Sequence, residues 1–177
     1  LKTSLIVSTY NSPKQLNLVL SEIWKGTMLP DDIVVSDDGS GIETNEVVSY
    51  WRKKLPIYHE WHEDSGFRKN RILNRSVQKC TGNYIIFLDG DCIPHNKFIQ
   101  DHKKYSESGF FIQGRRAFIK EKHVPDVLEN YRNVSYYIST FKMTGIFKAL
   151  RFPKPIIRVN QEQRGLIGCN LSMWKED

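Results

Sequence analysis

Two carboxylates one residue apart, Asp89 and Asp91, are the side chains in this sequence best suited to chemistry. They directly follow the apolar run Tyr84–Leu88, and Gly90 between them lets the backbone turn closely. Carboxylate oxygens at this spacing suit Mg²⁺ or Mn²⁺ bridging two phosphates. An isolated Asp-Gly-Asp is more often a turn in which the side chains bond their own backbone. The apolar run before it, together with two further polar strand ends, favours a metal site.

A second acidic pair, Asp37 and Asp38, ends the apolar run Ile33–Val35. These two residues could be a solvated loop or a helix cap. At the end of a strand, however, a carboxylate can also accept a hydrogen bond from a uracil N–H or a ribose hydroxyl. The third polar strand end is Thr9-Tyr10-Asn11, which follows Leu5–Val7.

A basic stripe, Arg68, Arg71 and Arg75, follows the loop Asp64–Phe67. Such a stripe is commonly a solvated helix face. It begins near a predicted helix N-terminus, where anions are favoured, so a pyrophosphate contact is expected of Arg68 or Arg71.

The elements that must position these residues alternate between strand and helix patterns. Strand-like runs at 5–7, 33–35, 57–61 and 84–88 are separated by helical patterns that begin near Ser12, before Val47 and at Arg68. This alternation predicts an α/β fold with a mostly parallel central sheet and helices on both faces. In such sheets ligands bind beyond the carboxyl ends of the strands, where the three polar clusters lie.

Local signals refine these elements. Ser12 can cap the first helix, Pro13 suits its first position, and Gln15 can complete a capping box. Further along, residues 110–112 are a candidate strand and residues 124–141 contain helical stretches. The segment 151–155 breaks the pattern, which indicates an exposed loop.

Composition bounds the class of protein. With 177 residues and 40% hydrophobic content, the chain can form one domain, and no apolar run approaches the roughly 20 residues of a membrane-spanning helix. A net charge of +6 fits nucleotide diphosphates, anionic lipid surfaces or nucleic acid. The sequence begins without the pattern of a signal peptide, so a cytoplasmic location is expected.

The cysteines Cys80, Cys92 and Cys169 are widely spaced, and we expect reduced core residues rather than disulfides or a zinc site.

Five motifs together resemble family 2 glycosyltransferases of the GT-A fold, a Rossmann-like nucleotide-diphospho-sugar transferase fold. They occur along most of the chain, at residues 7–11, 35–40, 63–68, 84–94 and 168–177. The Gly66-Phe67-Arg68 element, with the later Gly168-Cys169-Asn170, is similar to bacterial polymer-forming and galactosyltransferase-like members.

The resemblance implies roles for particular residues. Thr9, Tyr10 and Asp38 would hold the uridine of a UDP-sugar, Asp89 and Asp91 would serve the ribose and the metal, and Arg68 or Arg71 the diphosphate. The transferred sugar or the acceptor would lie near Gly168, Cys169 and Asn170. The whole predicted nucleotide-sugar set is Thr9, Tyr10, Asn11, Asp37, Asp38, Arg68, Arg71, Asp89 and Gly90, with Asp91 and Asp89 as ligands of Mn²⁺ or Mg²⁺.

The family pattern departs from this sequence at the catalytic base. The similar proteins carry a catalytic carboxylate in a Gly-Trp-Gly-x-Glu-Asp-like element after the final motif, whereas this sequence stops at Asp177. We therefore expect the base beyond Asp177, with Asp177 itself as the fallback. Residues 1–177 are then expected to be a single nucleotide-sugar-binding domain without its acceptor-binding and catalytic part.

The function predicted is that of a metal-dependent inverting glycosyltransferase. It would move a hexose or an N-acetylhexosamine from a UDP-sugar to a glycan or lipid-linked acceptor. No nucleic-acid partner is expected, and a peripheral association with the inner face of the membrane is compatible with this function. One alternative is a nucleotide-sugar-binding module that lacks catalysis. Another is an aspartate-based phosphatase, which shares the Asp89-x-Asp91 spacing but favours Thr or Val where Ile93 stands.

Overall fold

A computed structural model describes residues 1–151 and 166–177, which form an α/β structure around a six-stranded sheet. The strands are β1 (Thr3–Thr9), β2 (Asp32–Asp37), β3 (Ile57–Trp61), β4 (Tyr84–Asp89), β5 (Ile112–Gln113), β6 (Phe118–Ile119), β7 (Met143–Thr144) and β8 (Asn170–Trp174). The helices are α1 (Pro13–Trp24), α2 (Ile42–Trp51), α3 (Lys69–Lys79), α4 (Phe98–Lys104), α5 (Val124–Asn130), α6 (Val134–Ser139) and α7 (Ile146–Ala149), with a 3₁₀ turn at Glu121–His123.

The sheet has the strand order β3-β2-β1-β4-β8-β5, which confirms the predicted mostly parallel arrangement. Strands β1 to β4 pair in parallel, whereas β8 is antiparallel to both β4 and β5. The register places Ser8 beside Ser36 on one side and Asp89 on the other. Strands β6 and β7 form a separate two-stranded sheet.

Successive residues of β1 face opposite sides of the sheet, and both sides are covered. Leu5 and Val7 belong to a large core with α1 and α2, whose buried members include Leu16 and Val48. Ile6 packs in a second core, where Leu73 and Val77 of α3 meet β2 and β4. The prediction of helices on both faces is therefore confirmed.

Some local predictions need correction. Helix α1 begins at Pro13 as expected, but the capping box is wrong, because the Ser12 hydroxyl donates to the Tyr10 carbonyl at 2.9 Å and caps no N–H. The candidate strand at 110–112 is reduced to Ile112, which begins β5. Helices α5 and α6 lie within 124–141 as expected. Of the expected loop at 151–155, only Arg151 lies within the described residues.

The helices that the structure describes are short or polar by the standard of a membrane protein. None of them combines the length and the apolar character that crossing a bilayer requires.

Candidate functional site

The ends of β1, β2 and β4 meet at one edge of the sheet, as their parallel pairing requires. The Asp38 N–H donates to the Thr9 carbonyl at 3.0 Å, and the Gly90 N–H donates to the Ser8 carbonyl at 2.7 Å. A β-carbon on Gly90 would lie 2.7 Å from that Ser8 oxygen, so only glycine allows this approach. The structure thus brings the three predicted polar clusters together.

Asp89 lies at the centre of this edge, where its carboxylate is already held. Its Oδ1 accepts hydrogen bonds from Ser8 Oγ at 2.8 Å and from Lys69 Nζ at 2.6 Å. Asp91 is exposed, and the Cys92 thiol donates to its Oδ1 at 3.4 Å. Asp89 is therefore oriented from inside the protein, whereas Asp91 faces solvent.

These residues fit a divalent cation. Both carboxylates offer the oxygen ligands that Mn²⁺ and Mg²⁺ prefer. Among the described residues, Asp89 makes its hydrogen bonds through Oδ1. In the same part of the chain, Thr9 Oγ1 is buried without a hydrogen-bond partner and would lie 3.5 Å from a β-carbon on Gly90. This hydroxyl, next to the turn that carries Asp89 and Asp91, is therefore open to a bond with a polar ligand.

Asp37 and Asp38, the predicted nucleotide ligands at the end of β2, occupy different environments. Asp37 is buried, and its oxygens are engaged by the Ser40 N–H at 2.8 Å and by His59 Nε2 at 2.9 Å. Burial alone would raise the pKa of Asp37, but the bonds from His59 and Ser40 lower it below its ordinary value. Asp37 therefore shapes the loop from within, and its contact with a nucleotide stays a prediction.

Asp38 connects β2 to the start of α3. Its Oδ1 lies 2.7 Å from His62 Nε2, and its Oδ2 accepts the Arg68 N–H at 2.9 Å. Each carboxylate oxygen has two lone pairs, so after these bonds each oxygen keeps one lone pair for a further donor. The role of His62 was not predicted, because nothing in its local sequence pairs it with Asp38.

Tyr10 and Asn11 form the loop that follows β1. Tyr10 is 49% exposed, and its hydroxyl donates to Asp64 Oδ2 at 2.9 Å, which raises the pKa of Tyr10. Asn11 has a left-handed φ of 44°, and its Oδ1 accepts the Gly41 N–H at 3.0 Å. Tyr10 thus offers an open aromatic face, and Asn11 holds the loop that carries it.

The basic residues divide into three groups. Arg68 precedes α3 and binds the Glu63 carbonyl, and Arg71 is exposed in the first turn of α3. Arg75 forms an ion pair with Glu60, farther along the helix. Lys69 is the cation that touches Asp89, although the prediction considered only the arginines of this segment.

The predicted sugar-side segment also reaches this edge. Asn170 pairs with Leu88 in the register of β8, so residues 168–170 lie beside Asp89.

The three cysteines are free, as expected. Cys92 and Cys169 nevertheless approach Asp89, and the two sulfurs and a carboxylate oxygen all lie within 4.8 Å of one another. This meeting was missed, because the two cysteines are far apart in the sequence and form no motif.

A buried polar chain holds Asn170. Its Oδ1 accepts from His102 Nε2 at 2.9 Å, while the other ring nitrogen of His102 lies 2.6 Å from Ser172 Oγ. The Tyr84 hydroxyl lies 2.7 Å from the same Ser172 oxygen. Burial lowers the pKa of His102 to about 4, which keeps the ring neutral at neutral pH.

The fallback assignment of Asp177 as base is corrected by the direction of β8. This strand pairs Asn170 with Leu88 but Trp174 with Tyr84, so it runs away from Asp89. The Lys175 N–H then donates to the carbonyl of Asn83, the residue before β4, at 2.9 Å. This contact lies at the end of the strand opposite to Asp89. Asp177 follows at that opposite edge and cannot act beside Asp89.

A family model and several known proteins match this chain. The family model described as glycosyl transferase family 2 matches residues 4–167. The chain is 26% identical over 132 residues to a hyaluronan synthase of Pasteurella multocida, covering 72% of this chain and 14% of that protein. It is 30% identical over 99 residues to a validoxylamine A glucosyltransferase of Streptomyces hygroscopicus subsp. limoneus, covering 55% and 22%. The chain thus spans less than a quarter of the length of either relative.

Solved structures show the same fold. The crystal structure of Staphylococcus aureus TarS 1–349 in complex with UDP-GlcNAc matches with a TM-score of 0.53 and 28% identity, covering 59% of this chain and 30% of that one. A glucosyl-3-phosphoglycerate synthase from Mycobacterium tuberculosis, solved with Mn²⁺ and UDP-glucose, matches with a TM-score of 0.57 over 99% of this chain and 56% of that one. Its identity is 15%, so this second likeness concerns the fold alone.

Proposed function

Because the chain belongs to glycosyl transferase family 2 and has the GT-A fold, we propose that it is the UDP-sugar-binding part of a metal-dependent inverting glycosyltransferase. The observation that carries this proposal is the meeting of Asp38, Asp89 and Asp91, from two separate strand ends, with the cation Lys69 at one edge of the sheet. Membership of the family also removes the aspartate-based phosphatase that the Asp89-x-Asp91 spacing left open.

The uridine would lie over the ends of β1 and β2. Tyr10 presents a half-exposed ring on which a base can stack, and Thr9 carries an unsatisfied hydroxyl. Asp38 would accept the uracil N–H at a lone pair that His62 and Arg68 leave open. The crystal structure of TarS with UDP-GlcNAc supports a uridine nucleotide as the first choice.

The diphosphate would lie between α3 and the end of β4. Lys69 and Arg71 stand in the first turn of α3, where the backbone dipole also favours anions. Arg68 adds a third cation immediately before the helix. Lys69, which now neutralises Asp89, is placed to contact the phosphate nearest that carboxylate.

Asp91 and Asp89 would hold the metal. A bound Mn²⁺ or Mg²⁺ would supply the positive charge that stabilises the leaving diphosphate as the sugar departs. Gly90 keeps the turn close to Ser8, which fixes the two carboxylates relative to β1.

The sugar would lie toward residues 168–170. In an inverting transfer, a general base takes the proton of the acceptor hydroxyl, whose oxygen then attacks the anomeric carbon. Asn170, held by His102, would orient the donor sugar or the acceptor. The relatives named above support a glycan acceptor, and a lipid-linked saccharide is the second choice for the same site.

Calorimetric titration of UDP tests the metal site directly. We expect UDP to bind about tenfold or more tightly with Mn²⁺ or Mg²⁺ than with EDTA, as charge neutralisation between phosphates and carboxylates predicts. Asp91→Asn should remove most of this difference. Asp177→Asn is the matched control, because it removes an exposed carboxylate at the opposite edge of the sheet. Equal UDP affinities in all three conditions would overturn the metal assignment.

A further inference from the structure

The turn after β4 and the turn before β8 place three metal-binding groups together. Asp89 and Cys92 belong to the first turn, in which the Cys92 N–H donates to the Asp89 carbonyl at 3.0 Å. Cys169 belongs to the second turn, and it is buried with only 2% of its surface exposed. The two sulfurs and a carboxylate oxygen lie within 4.8 Å of one another, with one ligand atom from each residue.

The ligand types indicate which ion would bind. Two thiolates and one carboxylate are typical ligands of zinc and related thiophilic cations, whereas Mn²⁺ and Mg²⁺ prefer oxygen alone. Two sulfurs that share a tetrahedral zinc at about 2.3 Å lie about 3.8 Å apart. The two sulfurs lie no more than 4.8 Å apart, so they need to approach by about 1 Å or less to share a zinc ion. Small side-chain rotations can supply this movement.

A disulfide between the same two cysteines demands more. Its sulfurs must approach to about 2.05 Å, closer than the roughly 3.8 Å at which they share a zinc ion. The pairing of Asn170 with Leu88 holds the two turns relative to each other. The smaller approach of the sulfurs, to a shared ion, is therefore favoured over the larger approach to a disulfide. The geometry therefore fits an ion between the sulfurs better than a bond between them.

A neighbouring cation already occupies one of the three ligands. Lys69 neutralises Asp89, and 33% of its side chain is exposed, so it can withdraw into solvent when an ion takes its place.

We propose that Asp89, Cys92 and Cys169 form a binding site for a thiophilic divalent cation such as Zn²⁺, with its fourth position open to water. An ion at this site occupies Asp89 and thereby inhibits the binding of Mn²⁺ or Mg²⁺ with the nucleotide. The inhibitory part rests on the proposed function, whereas the existence of the thiophilic site does not.

Cobalt substitution tests the site without any nucleotide. Co²⁺ bound to thiolates has a sulfur-to-metal charge-transfer absorption, and we expect one equivalent of Co²⁺ to produce it and Zn²⁺ to abolish it. Cys92→Ser and Cys169→Ser should each weaken binding at least tenfold. Cys80→Ser is the matched control, because this third cysteine is buried far from Asp89, where its thiol donates to the Ser76 carbonyl at 3.3 Å.

The outcomes separate the two proposals. No charge-transfer absorption in the parent protein, or binding that persists in Cys92→Ser, would overturn the site. Cys92 is only partly buried, so its variant remains informative if the buried Cys169→Ser fails to fold. In a second titration, saturating Zn²⁺ should weaken UDP binding in the presence of Mn²⁺ about tenfold in the parent and not in Cys92→Ser. Unchanged UDP binding in the parent would overturn the inhibition while leaving the thiophilic site established.

Discussion

Lys69 Nζ lies 2.6 Å from Oδ1 of Asp89, so an ammonium group stands where a divalent cation would also be attracted. The pair connects the first residue of α3 to the last residue of β4. A single side chain can therefore neutralise the carboxylate before ligands arrive and contact a phosphate once they have bound. Removing the Lys69 side chain should therefore change both the binding of metal and the binding of phosphate.

Replacing Lys69 by Met should change the affinities for metal and nucleotide in opposite directions. Without the competing ammonium, Mn²⁺ alone should bind about threefold to tenfold more tightly, since a partly exposed ion pair is worth about 1 kcal/mol. UDP in EDTA should bind more weakly, because a phosphate contact is lost. Paramagnetic resonance of free Mn²⁺ and calorimetry of UDP measure the two affinities.

Lys25→Met is the control, since it removes a cation at the end of α1 that pairs with Glu22 at 2.7 Å. It should leave both affinities unchanged. Weaker Mn²⁺ binding in Lys69→Met would show that the ammonium supports the metal site instead of competing with the ion.

Asp38 should decide which nucleotide base is bound. We expect UDP to bind about tenfold more tightly than ADP, and Asp38→Asn to abolish this preference, because one charge-assisted hydrogen bond is worth about 1.5–3 kcal/mol. Calorimetry with both nucleotides measures the ratio. Asp91→Asn is the contrasting variant, which should weaken UDP and ADP alike since it acts on their common diphosphate. Comparable binding of UDP and ADP by the parent protein would contradict the assignment.

Gly114 should control the position of Asn170. A β-carbon at residue 114 would lie 2.1 Å from the Asn170 amide nitrogen, so Gly114→Ala must displace that side chain. We expect the affinity for a UDP-sugar to fall about threefold to tenfold relative to UDP, the size of one lost hydrogen bond. Gly41→Ala is the control, because its β-carbon would meet nothing within 4 Å. Equal losses for UDP and UDP-sugar would mean that Asn170 does not serve the sugar.

The buried ring of His102 should make the protein less stable in mild acid. Its pKa is about 4 in the folded protein and near 6.5 when exposed, so the unfolded state binds the proton first as the pH falls. The full stability is present above pH 6.5 and declines between pH 6.5 and pH 4, by about 3 kcal/mol. Urea unfolding across this range measures the decline.

His102→Gln should flatten this pH dependence, whereas His95→Gln should keep most of it. His95 is a suitable control, since burial lowers its pKa in the same direction. An undiminished decline in His102→Gln would assign the proton uptake to another group.

The fold was predictable because its signals are local. The run Leu5–Val7 is apolar on both sides, as a strand covered by helices on both faces must be. Spacing within residues 13–24 similarly indicated one buried face of α1. The location of the site followed, because parallel strands end at a common edge. Even so, a local signal misled at Ser12, whose hydroxyl bonds the preceding loop instead of the helix.

The internal chemistry of the site was not predictable from local patterns. His62 meets Asp38 because β3 pairs with β2, and Lys69 meets Asp89 because α3 packs against the sheet. Cys92 and Cys169 are brought together by the pairing of β8 with β4. Each contact depends on the relative placement of whole elements, which residue spacing does not encode. The direction of β8, which places Asp177 away from the site, likewise depends on strand pairing and not on residue spacing.

The insertion of β8 between β4 and β5 has a consequence for the order in which the site is built. Strands β1 to β4 are joined by short crossovers, whereas β8 reaches β4 only after a long excursion of the chain. Closing so long a loop costs entropy and slows the pairing that depends on it. We therefore expect the nucleotide half of the site to be in place in a folding intermediate before Cys169 and Asn170 dock. UDP would then act as a folding ligand for that intermediate, ahead of any sugar.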